Sequence, residues 1–180
     1  MEKIITVDID KCLGCRTCQL ECAIEHSKSK DLFAAIQEDP IPQYRISVEF
    51  INGSNIPWQC RHCDDAPCET VCPTAAISRK NDESPVVINK NKCIGCKMCI
   101  QVCPFGVLKR SKSDNTVIKC DFCIERLEEE KEPVCVKGCP TNALKMTTLE
   151  ELSSKKKEAS TQRLLTSFQK GKNSVDMGQE

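Results

Sequence analysis

The sequence predicts an α+β fold built from four copies of one small unit (strand, cysteine loop, short helix carrying the last cysteine, return strand), followed by a polar tail. Three observations carry that expectation. The sixteen cysteines fall into four groups of four, and the segments flanking those groups repeat. The rest of the core is thin, because the 39% hydrophobic content includes every cysteine and there are only one Trp, one Tyr and five Phe. Such a chain needs covalent or metal staples, since apolar burial at roughly 25 cal/mol per Å2 must offset the entropy of ordering the backbone.

The first group is Cys12, Cys15, Cys18 and Cys22, and the third is Cys93, Cys96, Cys99 and Cys103; both are spaced x2, x2, x3. The second, Cys60, Cys63, Cys68 and Cys72, is spaced x2, x4, x3. The fourth, Cys120, Cys123, Cys135 and Cys139, has an eleven-residue gap, "IERLEEEKEPV". A short β-branched run precedes a first cysteine in "ITVDIDKC", "VVINKNKC" and "TVIKC", and a short apolar run follows a fourth in "CPTAAIS", "CPFGVLK" and "CPTNALK". Residues 23–59 form the longest spacer and include the strand-like "YRISVEF".

This spacing suits a cubane [4Fe–4S] cluster. A curled C-x2-C-x2-C loop turns three thiolates to one side, and in two-cluster ferredoxins the fourth cysteine of a run serves the other cluster. The x3 gap sets the third and fourth cysteines about one helical turn apart. Gly14 and Gly95 suit the loop because glycine tolerates positive φ. Pro73, Pro104 and Pro140 follow the fourth cysteines and withhold a donor there, whereas Ala23 stands in that place after the first group. A zinc protein would use sixteen cysteines as paired C-x2-C sites, which three closely spaced cysteines fit poorly. A disulfide scaffold requires a secreted chain, and a dithiol redox enzyme needs only one pair.

Balanced charge, 26 basic against 26 acidic residues, argues against nucleic acid as a main partner. No apolar run of membrane-spanning length occurs. The start "MEKIITVDIDKC" lacks the features of a signal peptide and reads as a first strand in a cytoplasmic protein, where cysteines hold metal rather than disulfides.

The order of motifs, with "CRHCDDAPCETVCP" second and "KCDFCIERLEEEKEPVCVKGCP" fourth, resembles the four-cluster ferredoxin-like subunits of dimethyl sulfoxide reductase, formate dehydrogenase and formate hydrogenlyase. The resemblance covers residues 3 to about 146. The start "CLGCRTCQLECAIEHSKSKDLF" is most similar to the iron–sulfur subunit serving carbon monoxide dehydrogenase. The resemblance implies four [4Fe–4S] clusters with nested ligation: Cys12, Cys15 and Cys18 with Cys139; Cys120, Cys123 and Cys135 with Cys22; Cys60, Cys63 and Cys68 with Cys103; Cys93, Cys96 and Cys99 with Cys72. It further implies a domain over 1–146 made of two dicluster halves related by a pseudo-twofold, one holding the motifs at 12–22 and 120–139, the other those at 60–72 and 93–103.

The function expected is that of a non-catalytic electron-transfer subunit, connecting carbon monoxide dehydrogenase to a hydrogenase or other acceptor. Two alternatives are a link between formate dehydrogenase and a hydrogenase, and, from a different class, a structural zinc or interaction module. No Gly-rich nucleotide loop, Ser/His/Asp set or carboxylate pair suggests an enzyme. His62 reads as a loop residue beside a cluster, His26 as a surface or helix-end residue, and Trp58, Phe105 and Phe122 as cluster shielding or packing. Lys109 to Asp114 reads as a polar hairpin turn, and Pro133 as the end of any helix in the acidic insert. In the tail, 147–180, a helix is expected near 148–169, capped by Thr148 with Glu151, with Leu149, Leu152, Leu164, Leu165 and Phe168 as an incomplete stripe. This tail is a candidate for docking to a partner subunit or a second copy.

Overall fold

The computed structural model describes residues 3–176, with side chains described from 3 to 169. They group into two compact units, Ile5–Met146 and a second that gathers Lys3, Ile4 and the segment from Thr147 onward.

The β-branched runs form strands where the repeats place them. They are β1 (Lys3–Val7), β2 (Ser47–Ile51), β3 (Ser54–Trp58), β4 (Ile77–Ser78), β5 (Val87–Ile88), β6 (Lys109–Arg110), β7 (Val117–Ile118) and β8 (Leu144–Thr148). Each pairs with one partner, giving β1 with β8, β2 with β3, β4 with β5 and β6 with β7. The return strand of the second repeat therefore pairs with the leading strand of the third repeat, that of the third with the fourth, and that of the fourth with the first. Lys109 to Asp114 does enter a hairpin, with Arg110 opposite Val117.

Short helices follow the cysteine loops: α1 (Thr17–Glu25), then α2 (Leu32–Ala35) in the long spacer, α3 (Pro67–Thr70), α4 (Met98–Val102), α5 (Ile124–Glu128) and α6 (Val134–Lys137). The expectation that each helix carries the last cysteine holds only for α1. Helices α3, α4 and α6 carry the third, Cys68, Cys99 or Cys135, and stop before the fourth, while α2 and α5 carry no cysteine. Proline is the reason, because it drives the preceding residue out of the α region. Cys103, just before Pro104, has φ −71° and ψ 114°. Ala23 imposes no such limit, so α1 runs on to Glu25. Pro133 also differs from expectation. Helix α5 ends near Glu129, at the left-handed Glu130 (φ +58°), and Pro133 instead caps the start of α6.

Helix α1 packs on α6, and α3 on α4. One core joins Ile5, Ile46, Val48, Phe122, Val136 and Leu144 with Cys18, Cys22 and Cys135; the other joins Ile77, Val86, Val107, Leu108 and Val117 with Cys99.

In the second unit α7 (Leu149–Asp176) starts on the anticipated box and runs beyond the predicted end. The Glu151 amide donates to Thr148 Oγ1 at 3.1 Å, and the Thr148 amide to the Glu151 carboxylate at 3.4 Å. Leu149, Leu164, Leu165 and Phe168 are exposed. Among the described residues no helix is long and apolar enough to cross a membrane.

Candidate iron–sulfur centres

The first C-x2-C of every group turns through a left-handed residue placed directly before its second cysteine: Gly14 (φ +70°), His62 (φ +49°), Gly95 (φ +68°) and Phe122 (φ +63°). Glycine at two of these positions announces the turn. His62 and Phe122 do not, and they adopt it because burial compensates the cost of about 1–2 kcal/mol for a side chain there. Their rings meet edge to face at 5.5 Å, and both are buried. The turn aims amides at sulfur: the His62 N–H lies 3.4 Å from Cys60 Sγ and the Phe122 N–H 3.4 Å from Cys120 Sγ.

The fold brings the sixteen thiols into four neighbourhoods. Burial, then Cys15, Cys139 and Cys12 beside it, pushes the Cys18 thiol up to about 11. Cys120 is raised by burial and by Cys22 and Cys135, and Cys135 by burial and by Cys123 and Cys22. Cys60, Cys63, Cys68 and Cys103 line one cavity together with His62, Phe105 and Val86. Cys72, Cys93, Cys96 and Cys99 line another with Ile77 and Val117. Cys15 and Cys96 are the exposed members. Further amides point at sulfur, from Arg45 to Cys22 at 3.2 Å and from Ala76 to Cys72 at 3.2 Å, and the Thr17 hydroxyl reaches Cys15 Sγ at 3.4 Å.

These neighbourhoods fit a cationic cluster better than bare thiols. Burial first, and neighbouring sulfurs and carboxylates after it, hold Cys99 at about 11 and Cys123 at about 12. Without a metal such groups keep their protons; a bound metal ion deprotonates a coordinating thiol outright. Amides directed at sulfur then stabilise the charge carried there.

Trp58 packs beside the second core, its Nε1–H donating to the Phe105 carbonyl at 2.8 Å and its ring 4.8 Å from the Arg61 guanidinium. His26 stands at the C-terminal end of α1, the helix-end place expected, but not at the surface. It is largely buried, with Nδ1 2.7 Å from the Cys22 carbonyl and Nε2 3.2 Å from Asp121, whose carboxylate also pairs with Arg45. His26, Asp121 and Cys123 place their ligand atoms within 4.8 Å of one another. Burial pulls the imidazolium down, but Asp121 and Cys22 outweigh it and hold His26 at about 9. Burial raises the Asp121 carboxyl, and His26 and Arg45 hold it well below the usual carboxylate range. Because the folded value of His26 exceeds the unfolded value of about 6.5, its contribution is complete below that pH and is lost as pH rises through about 9. His26→Asn is therefore expected to lower the stability of the iron-loaded chain in mildly acidic buffer, read from its guanidinium midpoint, by on the order of 3 kcal/mol. The gap should close in alkaline buffer above about 9; equal midpoints at both pH values would contradict this pairing.

Four thiol neighbourhoods on curled, amide-lined loops define an iron–sulfur protein, and the sixteen cysteines in ferredoxin-type motifs fit four [4Fe–4S] clusters. The chain belongs to the 4Fe-4S dicluster domain family, which matches residues 51–149. It is 37% identical over 154 residues to the "Putative electron transport protein YsaA" of Escherichia coli K12, covering 84% of this chain and 94% of that protein. It is 38% identical over 159 residues to an "Iron-sulfur protein" of Rhodospirillum rubrum, covering 82% and 83%. The "Probable anaerobic dimethyl sulfoxide reductase chain YnfG" of E. coli K12 is 34% identical over 164 residues, covering 83% and 75%.

Proposed function

We propose that this chain is the electron-transfer subunit of an oxidoreductase complex, relaying single electrons between a catalytic subunit and an acceptor, with no substrate chemistry of its own. The observation that carries this reading is the grouping of the sixteen thiols, all but Cys15 and Cys96 buried or half-buried, into four neighbourhoods, within a family whose relatives are named for electron transport. We assign one cluster each to Cys12, Cys15, Cys18 and Cys139; to Cys120, Cys123, Cys135 and Cys22; to Cys60, Cys63, Cys68 and Cys103; and to Cys93, Cys96, Cys99 and Cys72. In this assignment residues 1–146 form two dicluster halves related by a pseudo-twofold, and 147–180 an extension suited to docking. When bound, each cluster supplies a site for one electron at a time. The chain's own part is to exclude water, direct amides at sulfur and fix the neighbouring charges.

The catalytic partner we favour is carbon monoxide dehydrogenase, on the similarity of "CLGCRTCQLECAIEHSKSKDLF", with a hydrogenase as acceptor; a formate dehydrogenase–hydrogenase pair is the alternative. Dithionite-reduced chain is expected to pass its electrons to a hydrogenase, and carbon monoxide dehydrogenase with its substrate to re-reduce it. The isolated chain should oxidise neither carbon monoxide nor formate with an artificial acceptor, and turnover by the isolated chain would refute the relay. Anaerobic pull-down from native extract distinguishes the two partner pairs.

A further inference from the structure

Beside the second core lies a lysine that the relay has not used. Lys119 directly precedes the fourth motif, just after β7, and is only 3% exposed. Its ammonium donates to the Val86 carbonyl and, at 3.0 Å, to the Cys120 carbonyl, while Cys60 Sγ lies 3.6 Å away. A lysine nitrogen has three protons and no acceptor capacity, and here three acceptors receive them, so the arrangement is built for the charged form. Burial leaves that charge weakly screened.

Among the described residues His26 also stands beside a cysteine sulfur, 3.8 Å from Cys22 Sγ. Its charge is matched by Asp121, which also holds Arg45. Lys119 has no carboxylate within ion-pair distance among the described residues; its positive charge faces sulfur and carbonyl oxygen only. An electron entering a four-thiolate cluster adds one negative charge, with no bond broken and no proton required. It comes from the catalytic partner and leaves to the acceptor. A fixed, unmatched ammonium beside a ligand sulfur favours that added charge, since opposite charges in a low-dielectric site attract strongly.

We propose that Lys119 sets the potential of the cluster held by Cys60, Cys63, Cys68 and Cys103, making it the first of the four to accept an electron. Its bond to the Cys120 carbonyl ties the same charge to the chain that enters the neighbouring Cys120, Cys123, Cys135 and Cys22 site. The electron would thus rest next to the junction of the two halves before passing on. This rests on the cluster assignment above.

The test is an EPR-monitored redox titration of full-length, anaerobically purified chain, native and as Lys119→Gln and Lys119→Arg. In Lys119→Gln one cluster, the first to reduce in the native chain, is expected to become at least tenfold harder to reduce at fixed potential, about 59 mV for a one-electron couple. Lys119→Arg keeps the charge and should stay within about threefold, about 28 mV on that scale. A purely structural role would not separate the two variants. Native chain grown with ε-15N-lysine gives a second reading that needs no variant: the first-reduced cluster should show hyperfine coupling to a single lysine nitrogen. Unmoved potentials in a Lys119→Gln chain that retains its iron, or no lysine coupling on the first-reduced cluster, would overturn the assignment. Zinc in place of iron in the native chain would overturn the cluster reading itself, so the two failures are distinguishable.

Discussion

Anaerobic removal of iron is expected to abolish the cooperative unfolding of residues 5–146, with amide protons there exchanging freely and proteases cutting throughout. The secondary structure shows why. Strands β4 to β7 are two residues long and each pairs with a single partner, whereas isolated two-stranded pairs are marginal in water even at greater length. Helices α3 to α6 have four or five residues, well short of what sustains a helix alone. Both cores close around cysteines, so loss of the clusters leaves the surrounding Leu, Ile and Val side chains lining voids, at about 24 cal/mol per Å3 of cavity. Metal binding and folding are then one equilibrium. Helix α7 has a capping box and no cysteine, so part of the far-UV helical signal should survive. The readout must therefore be local exchange or proteolysis in 5–146. A sharp unfolding transition in the iron-free chain would show that the apolar packing suffices by itself.

The second large effect is expected from one added methyl. A Cβ on Gly95 would lie 1.9 Å from the Asn115 carbonyl oxygen, and the residue has φ +68°. The left-handed conformation costs an alanine about 1–2 kcal/mol. The overlap is worse, because the obstacle is backbone in the β6–β7 turn and cannot rotate away; overpacking of this kind adds about 1–3 kcal/mol or more. Gly95→Ala should therefore displace the loop carrying Cys93 and Cys96 and lose about four of sixteen irons. Gly14→Ala provides the contrast. Its nearest obstacle, at 2.5 Å, is the Asn55 side chain, which can swing aside, so that variant should keep its full iron and lose only about 1–2 kcal/mol of stability. Equal iron loss in both variants would mean that positive φ, and not the contact with Asn115, governs the loop.

The parts legible in the sequence are those that cluster ligation forces into local spacing. The cysteines of one motif, the glycine of a tight turn and the β-branched run ahead of a loop lie close together in the sequence, and the strands and loops follow them. The capping box at Thr148 and Glu151 was legible for the same reason, since its two partners are three residues apart. What could not be read depends on distant partners. His26, Arg45 and Asp121 converge from separate segments, and each alone looks like a solvated polar residue. Lys119 reads as an ordinary charge ahead of a motif, and only the approach of Val86 and Cys60 reveals its burial. The left-handed turns at His62 and Phe122 carry no glycine to announce them. Helix length was misjudged although its signal, proline after the fourth cysteine, was visible; the rule that proline restricts its predecessor also explains why α1, followed by Ala23, is longer. The partner enzymes leave no such mark, because docking surfaces are not tied to motif spacing.

The most direct test is the metal content of the full-length chain purified without oxygen. Four cubane clusters require about sixteen iron and sixteen acid-labile sulfide per chain, with Mössbauer spectra of a single cubane class and loss of visible absorbance on reduction. Zinc without sulfide would contradict the assignment, and so would iron near eight per chain.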